Sequence, residues 1–420
     1  MRKLYSFLFY LAIPFILFRL YWKSLKFPEY RQRINERFSF GKLSHLKSVD
    51  VWIHAVSLGE VVASTPLVNA LLAKELRVLL TTMTPSGSQQ VIRHFGTRVA
   101  HQYIPYDLPW CLNRLLNRIN PRLCITMETE LWPNLIYEVS KRKIPLFLAN
   151  ARLSDKAFKS YMKVRFLFKP LLNKFTAILA QSDEDARRYI ALGCSSNLVE
   201  MIGNIKLDLN LKVNENKDCM LIKEKIGALR PVLVAASTHE GEEKQLLSIL
   251  DKLKKAIPNI VLFLVPRHSQ RFQAVYDLSL SHNYNTGLRS KLDTINDNVD
   301  VVVIDSLGEL FNFYDLSDYA FVGGSLVPIG GHNVLEPIAL KVPVFCGPYM
   351  NNSAAICRDL VAAEAMIMAQ NVDELGAKII EMYNNPAQRQ QQTLKGYLFI
   401  DANKGVVAKL IKRFEESILH

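Results

Sequence analysis

The sequence lacks the patterns by which proteins usually bind zinc or form disulfides. It contains no C-x-x-C pair, and none of its nine histidines stands at the H-x-x-x-H spacing of a zinc site. The six cysteines are scattered along the chain: Cys111, Cys124, Cys194, Cys219, Cys346 and Cys357. This usage favours buried thiols in a reducing compartment.

Glycine, proline and acidic residues are also scarce. With 18 Gly and 18 Pro in 420 residues, and with 49% apolar against 22% charged residues, the chain is not disordered, collagen-like or of low complexity. A mean hydropathy of +0.07 is too low for a polytopic membrane protein. The length predicts two to three domains at about 150 residues each. Because 52 basic residues outnumber 39 acidic ones, the net charge of +13 predicts an acidic partner: a nucleic acid, an anionic membrane or a phosphorylated substrate.

The N-terminal segment has the composition of a membrane anchor. Residues 4–18 carry no charge. This uncharged run is shorter than the about 20 apolar residues that a helix needs to cross a bilayer. Aromatic and basic residues follow, and between residues 19 and 47 eight Lys or Arg stand against two Glu. We therefore expect residues 1–23 to anchor a body on the cytoplasmic side. A cleaved signal peptide, for which no small-x-small site follows, and a buried N-terminal helix with a solvated basic face are the alternatives.

Short β-rich runs alternate with helical stretches along the rest of the chain. Ten such runs predict strands, at residues 51–56, 77–82, 123–127, 145–149, 177–180, 232–236, 260–265, 301–304, 319–322 and 342–345. This alternation predicts two α/β domains with parallel sheets covered on both faces, separated by a polar linker at residues 207–217. Ligands of such sheets bind beyond the carboxyl ends of the strands, so the turns there are the candidate sites.

Carboxylates follow two of the predicted strands in the first half. Ser57, Gly59 and Glu60 form an S-x-G-E turn, where Gly59 is expected to allow a close turn and Glu60 to open a helix. Glu60 is either a general base or a helix-start carboxylate stabilised by the helix dipole. Glu128 and Glu130 follow the strand at 123–127; if that stretch stays extended they lie on one side, and like charges so placed raise a pKa.

Hydroxyl and cationic side chains stand at further strand ends. Thr84 lies in a hydroxyl-rich turn at residues 81–88, which can hold sugar or phosphate oxygens or can simply cap a helix. Arg152 follows another strand, where an acidic ligand is expected. Lys206 precedes the linker and is expected to face a cleft between the domains.

The second half carries the densest cluster of turn motifs. Pro266, Arg267 and His268 end one strand, and Leu307, Gly308 and Glu309 follow another. Two Gly-Gly pairs precede residues His332, Asn333, Val334, Leu335 and Glu336. Glycines before a helix free backbone N–H groups for a phosphate, and the glutamate can take ribose hydroxyls, so this loop predicts a nucleotide site.

Other ligand motifs are absent or ordinary. No P-loop sequence and no G-x-G-x-x-G follows a predicted strand. Asp183-Glu184-Asp185 fits a D-x-D metal signature, but it opens a predicted helix after Ser182, where such residues act as caps. We therefore expect no metal site there.

Taken in order, these motifs resemble the Kdo transferases, the 3-deoxy-D-manno-octulosonic acid transferases of lipopolysaccharide assembly. The matching segments are S-x-G-E at 57–60, TTMTPSGS at 81–88, METELWPN at 127–134, NARLS at 150–154, GNIKLD at 203–208, STHEGEE at 237–243, PRH at 266–268 and GGSLVPIGGHNVLEP at 323–337. Ser86 stands where Thr is commoner and Tyr349 where His is expected, which affects local contacts only.

The resemblance implies a GT-B fold, with two Rossmann-like domains facing a central cleft and an N-terminal anchor helix. The implied domains are an acceptor domain at 24–206 and a CMP-Kdo domain at 218–420, whose last helix can pack back on the first. Glu60 would be the base, and Glu128 and Lys206 would stabilise the transition state. Nucleotide contacts would be Pro266, Arg267, Leu307, Gly308, Glu309 and Asn333, Val334, Leu335, Glu336; further acceptor or donor contacts would be Ser57, Gly59, Thr84, Glu130, Arg152, His268 and His332.

The resemblance also implies the reaction and its location. CMP-Kdo would be the donor and the tetraacylated, bis-phosphorylated lipid A precursor the acceptor, at the cytoplasmic face of the inner membrane with its anionic lipids. Because cationic residues can offset the charge on the departing phosphate, we expect inverting transfer without metal, cofactor or nucleic acid. A GT-B transferase or epimerase using a UDP-sugar, or a non-catalytic membrane-bound binder of nucleotide or lipid, are the alternatives.

Overall fold

The chain divides into two compact units. The computed structural model describes residues 1–41, 48–208 and 216–418. One unit consists of Met1–Asp208 and Gly405–His420, and the other of Leu209–Lys404. Each contains a seven-stranded sheet in which the paired strands run parallel.

The sheet of the first unit has the strand order β3-β2-β1-β4-β5-β6-β7. Its strands are β1 (Val51–His54), β2 (Val78–Thr82), β3 (Ala100–Tyr103), β4 (Leu123–Met127), β5 (Leu146–Ala151), β6 (Ala177–Ala180) and β7 (Val199–Met201). This order reverses between β1 and β4, as in Rossmann-like sheets, where ligands bind beyond the strand ends.

Helices cover both faces of this sheet. They are α2 (Leu58–Ala73), α3 (Pro85–Phe95), α4 (Pro109–Ile119), α5 (Pro133–Lys141), α6 (Asp155–Lys163), α7 (Arg165–Leu172) and α8 (Asp183–Leu192); α1 (Arg2–Lys26) packs separately, against Tyr106, Leu108 and Cys111. Because side chains alternate along a strand, Val51 and Ile53 face the core under α2 and α3, whereas Trp52 faces the core under α4 and α5.

The second unit repeats this architecture with the strand order β10-β11-β9-β8-β12-β13-β14. Its strands are β8 (Val232–Thr238), β9 (Val261–Pro266), β10 (Thr286–Leu288), β11 (Val301–Val303), β12 (Tyr319–Val322), β13 (Val344–Cys346) and β14 (Ile367–Met368). Its helices are α9 (Lys217–Ile226), α10 (Glu242–Ala256), α11 (Phe272–Ser281), α12 (Leu310–Asp315), α13 (Leu335–Ala339), α14 (Ala354–Ala362), α15 (Val372–Asn384) and α16 (Pro386–Ala402).

The last helix, α17 (Val406–Ile418), belongs to the first unit. Val406, Leu410 and Phe414 are buried in the core under α2, and the Phe414 ring meets Phe147 edge-on at 4.9 Å. Asp208 caps the start of this helix, since its carboxylate accepts hydrogen bonds from the N–H groups of residues 405 and 407. Residues 209–215 of the expected linker at 207–217 lie outside the described residues.

All ten expected strands are present, and four further strands were missed. The missed strands β3, β7, β10 and β14 are the two edge strands of each sheet. The expectation that the chain stays extended after β4 was wrong, because residues 128 and 129 form a turn.

The cap at residues 182–185 was correctly predicted. The Ser182 hydroxyl accepts a hydrogen bond from the Asp185 N–H, and the Asp185 carboxylate accepts one from the Leu153 N–H at 2.7 Å. Asp185 therefore joins α8 to the neighbouring loop. The expected burial of the six free cysteines is also confirmed.

One helix among the described residues, α1, is long and apolar enough to cross a membrane. Only Ser6 and Ser24 of its 25 residues are buried. The alternative of a buried N-terminal helix is therefore wrong.

Candidate active site

Glu60 lies at the carboxyl end of β1, in the first turn of α2. Its Oε2 accepts a hydrogen bond from the Val56 N–H at 2.9 Å, and its Oε1 accepts one from the Ser57 hydroxyl at 3.0 Å. Ser57 is the N-cap of α2. Burial, with the nearby charge of Glu130, raises the pKa of Glu60 from 4.5 to about 8. The carboxylate is thus held as in a capping box and is also an unusually strong base.

Gly59 does not make the expected close turn. It lies inside the first turn of α2, and its φ is not positive. The close approach of backbones here depends instead on Gly87 in α3, because a Cβ on Gly87 would lie 3.2 Å from the Ser57 carbonyl carbon. Gly87 lets α3 approach the loop that carries Glu60.

Glu128 and Glu130 follow β4 in a tight turn. Glu128 has a φ of +53°, and Glu130 accepts a hydrogen bond from the Trp132 indole N–H at 2.5 Å. Burial, followed by the charge of Glu128, raises the pKa of Glu130 to about 7. The turn brings both side chains within electrostatic reach of Glu60, although the extended geometry expected for them was wrong.

Lys206 faces this group of acids. Its Nζ lies 3.5 Å from Oε1 of Glu128, and both side chains keep some exposure to solvent. A cation beside the acids is therefore available to a developing negative charge.

Three side chains that the sequence analysis missed hold Lys206 in place. Asn150, with a φ of +53°, accepts a hydrogen bond from the Ile205 N–H at 3.0 Å. Asn204 accepts one from the Lys206 N–H and donates one to Gln181, which in turn donates to the Asn150 carbonyl. The only sequence signal was the asparagines in NARLS and GNIKLD.

Thr84 and Arg152 lie on loops that adjoin these acids. Thr84 caps α3 through the Gly87 N–H, and its backbone N–H and hydroxyl both bond the Val56 carbonyl. The Arg152 N–H donates to the Glu128 carbonyl at 3.2 Å. The structure thus brings together the first-unit residues Ser57, Glu60, Thr84, Glu128, Glu130, Arg152 and Lys206.

In the second unit, the STHEGEE segment organises a loop through buried carboxylates. Glu242 is fully buried and accepts hydrogen bonds from the N–H groups of residues 239, 324, 325 and 326. Glu243, also fully buried, binds Arg271 through two hydrogen bonds and accepts a third from Thr238. These acids fix the glycine-rich loop. They were not among the site residues predicted from the sequence.

A group of histidines and an arginine lies beside that loop. The Nε2 atoms of His239 and His332 are 2.8 Å apart, and the His268 ring meets His239 edge-on at 5.4 Å. Burial, with the nearby charge of Arg267, lowers the pKa of His332 to about 4. Arg267 is exposed directly after Pro266, at the end of β9. The exposed guanidinium of Arg267 beside these rings suits a phosphate or carboxylate ligand.

The Glu309 carboxylate is held by side chains of its own unit. Its carboxylate is hydrogen-bonded to Arg289, Asn216 and Ser306, and these bonds outweigh burial and lower its pKa. Its neighbour Leu307 is 62% exposed, and Gly308 has a φ of +88°. The carboxylate therefore fixes the loop, whereas the backbone at 307–308 is open to a ligand.

The segment from His332 to Glu336 forms a compact turn. Asn333 accepts a hydrogen bond from the Leu335 N–H and donates one to Glu336 at 3.0 Å, and burial raises the pKa of Glu336. The side chains of Val334 and Leu335 are buried. The helix expected to begin near His332 is α13, which has only five residues and begins at Leu335. Its dipole is therefore a weak phosphate ligand, and polar side chains carry the charge recognition.

Within residues 1–41, 48–208 and 216–418, no three His, Cys, Asp or Glu side chains are grouped so that they could hold a metal ion.

Comparisons with known proteins identify the family. Residues 32–209 match the family described as 3-Deoxy-D-manno-octulosonic-acid transferase (kdotransferase). The chain is 39% identical to a 3-deoxy-D-manno-octulosonic acid transferase of Haemophilus influenzae over 98% of this chain and 97% of that protein. It is 32% identical to the enzyme of that name from Bordetella pertussis, over 87% of each chain.

Solved structures confirm the fold. A crystal structure of UDP-N-acetylglucosamine 2-epimerase matches 88% of this chain and 97% of its own, with a TM-score of 0.59 and 14% sequence identity. At this identity the match shows the GT-B-like fold alone. The relatives confirm the resemblance found in the motifs: the chain belongs to the Kdo transferase family and is a glycosyltransferase.

Proposed function

We propose that the enzyme transfers Kdo from CMP-Kdo to the tetraacylated, bis-phosphorylated lipid A precursor, with inversion, at the cytoplasmic face of the inner membrane. The observation that carries this proposal is Glu60, a buried carboxyl group with a pKa raised to about 8, held at a strand end beside Glu128 and Lys206. A group with these properties suits proton abstraction from an alcohol.

The proposed step needs one base. The acceptor hydroxyl oxygen attacks the anomeric carbon of Kdo, the bond from that carbon to the phosphate oxygen breaks, and CMP leaves with the bonding electrons. The hydroxyl proton passes to Glu60, which later releases it to water. Attack opposite the departing phosphate inverts the anomeric centre.

Glu128 and Lys206 supply charge around this step. The 3.5 Å contact between them holds the lysine ready for a developing anion, while the glutamate faces the cationic character of the sugar. In the second unit, Arg267 is the cation proposed to meet the phosphate of CMP-Kdo. Because these cations can offset the charge on the departing phosphate, we infer that transfer needs no divalent metal ion, and that excess EDTA leaves turnover unchanged.

The two units have separate binding roles in this proposal. Residues 24–206 bind the acceptor, with Ser57, Thr84, Glu130 and Arg152 around its hydroxyl and phosphates. Residues 218–404 bind CMP-Kdo, through Pro266, Arg267, His268 and His332, the loop of Leu307, Gly308 and Glu309, and the turn of Asn333, Val334, Leu335 and Glu336. Gly59 contributes only backbone, and Glu309 acts by shaping its loop.

Glu60→Gln tests the proposal, with Glu374→Gln as the matched control. Glu374 occupies the same position in α15: it accepts a hydrogen bond from the N–H of the residue before the N-cap, and Asn371 caps its N–H. We expect Glu60→Gln to lower turnover of CMP-Kdo on the lipid acceptor by about 10²–10⁴-fold, as for loss of a general base. Glu374→Gln should leave turnover unchanged.

The pH dependence gives a second readout of the same experiment. Wild-type turnover should rise with pH up to about 8, because Glu60 must lose its proton to act, and the residual turnover of Glu60→Gln should lack that rise. Near-normal turnover by Glu60→Gln would contradict the proposed base.

A further inference from the structure

The helix α1 lies along the body of the first unit rather than standing free. Phe9, Ile13, Ile16 and Leu17 pack against the cluster of Tyr106, Leu108 and Cys111. Residues spaced by three and four positions share one face of a helix. This face therefore follows the surface of the first unit over several turns.

Polar bonds fasten the start of the same face. Arg2 donates hydrogen bonds to Asn134 at 3.0 Å and to Glu138 at 3.3 Å, and its guanidinium lies 3.6 Å from the centre of the Tyr137 ring. Ser6 donates to Asn134 at 2.9 Å. Asn134 is fully buried and Glu138 nearly so. Helix and body thus share one continuous interface, apolar in the middle and polar at the N-terminal end.

The opposite face of α1 is apolar and exposed. Eight large side chains on it are half exposed or more: Leu4, Phe7, Leu8, Leu11, Phe15, Phe18, Trp22 and Leu25. Trp110, 41% exposed, extends this surface onto the body, because it stacks on Phe38 of the cluster that holds α1.

An anionic bilayer surface fits this face. Lys3, Arg19, Lys23 and Lys26 are exposed, and the helix contains no acidic residue. A helix that is apolar all round usually spans a membrane or is buried. Here the two apolar sides have separate partners, since one packs on the body and the other faces outward. We propose that α1 lies in the plane of the membrane, at the level of the lipid headgroups, and does not span the bilayer; this rests on the membrane attachment proposed above.

The body-facing bonds support the in-plane orientation. A spanning helix would carry the buried Asn134 and Glu138 into hydrocarbon, or would separate from them and leave their bonds to Arg2 and Ser6 broken. The helix also adjoins the loops of the site. Met83, which precedes Thr84, packs against the same Tyr106 cluster as α1, and Asn134, bonded to Arg2 and Ser6, lies two residues after Trp132. An in-plane α1 therefore holds the carboxyl edge of the first sheet at the level of the headgroups.

Labelling of a single added cysteine tests this orientation. The variant Lys3→Cys of the full chain is bound to preformed vesicles of roughly three parts phosphatidylethanolamine to one part phosphatidylglycerol, and a membrane-impermeant maleimide is added outside. The six native cysteines are buried and give little background. We expect the Lys3→Cys variant to be labelled to the same extent before and after the vesicles are opened with detergent.

The exposed Arg93, changed to Cys in α3, marks the body and should be labelled from outside in both conditions. Labelling at position 3 only after detergent, with position 93 labelled throughout, would show that the N-terminus has crossed the bilayer and would overturn the in-plane orientation alone. Failure of the protein to sediment with the vesicles would overturn the membrane attachment and the orientation together.

Discussion

At the scale of single residues, Glu60 should reduce the stability of the folded protein above neutral pH. Its pKa is 4.5 ordinarily and about 8 in the fold, so between these values the folded state keeps a proton that the unfolded state has lost. The free energy of unfolding therefore falls as pH rises from 4.5 to 8. One pKa unit corresponds to about 1.4 kcal/mol. We therefore expect the free energy of unfolding, measured in urea at about pH 9, to be about 1–3 kcal/mol higher for Glu60→Gln than for wild type.

At about pH 4 the same variant should match wild type, because both side chains are then neutral. Glu374→Gln serves again as the control, since its side chain is less buried than that of Glu60 and caps a helix in the same way. If Glu60→Gln raised the free energy of unfolding equally at both pH values, the buried charge of Glu60 would not be the cause of the stabilisation.

The asparagine network predicts a positioning effect on Lys206. Asn204→Ala removes the acceptor of the Lys206 N–H and the link to Gln181. One such hydrogen bond is worth about 1 kcal/mol, so we expect kcat to fall about five- to tenfold with little change in KM for CMP-Kdo. Asn173→Ala is the control, because Asn173 also bridges loops of the first unit, to Gly193 and Ser195, but bonds none of the site residues. An unchanged kcat for Asn204→Ala would contradict the positioning role.

These residues also mark how far the sequence predicts the site. Glu60 and Glu128 could be proposed because each is an acid at a predicted strand end in a family motif, and Lys206 because it lies in the motif GNIKLD just before the predicted linker. Asn150, Gln181 and Glu242 act through backbone groups that are distant in sequence, such as the N–H of residues 205 and 324–326. Such bonds form only after the fold is complete, so no local pattern indicates them.

At the scale of secondary structure, the missed strands are the edge strands. Interior strands are covered on both faces and paired on both sides, so they appear in the sequence as continuous apolar runs. Edge strands need fewer apolar residues, because they are paired on one side and less fully covered. β7 is only partly buried, and β14 has two residues. Their pairing comes from the neighbouring strand, which explains why ten strands were predicted and these four were not.

The returning helix α17 should support the first unit and not the second. Phe414 is 1% exposed and packs on Phe147, so Phe414→Ala should cost about 3–5 kcal/mol. Hydrogen exchange should report the loss as faster exchange in β5 and α2, with the strands of the second sheet unchanged. Leu394→Ala, at a 53% exposed position of α16, should change the free energy of unfolding by less than about 0.5 kcal/mol. Equal loosening of both sheets by Phe414→Ala would contradict this assignment.

At the scale of the whole molecule, the two units should respond differently to nucleotides. A ligand at a hundred times its Kd raises the free energy of unfolding by about 2.7 kcal/mol. We expect CMP and CMP-Kdo to raise only the calorimetric transition of residues 209–404, and Arg267→Ala to reduce that shift while Lys252→Ala, also exposed, does not. An equal shift with a UDP-sugar would favour the UDP-sugar alternative.

The path of the chain has a consequence for biosynthesis. On the ribosome α1 is synthesised more than 100 residues before Asn134, its partner in the body. The core of the first unit lacks Val406, Leu410 and Phe414 until α17 has been synthesised. The nascent protein therefore presents this apolar helix to a membrane before the surface that will hold it has been made, and the first unit lacks its last helix until the whole of the second unit has been synthesised.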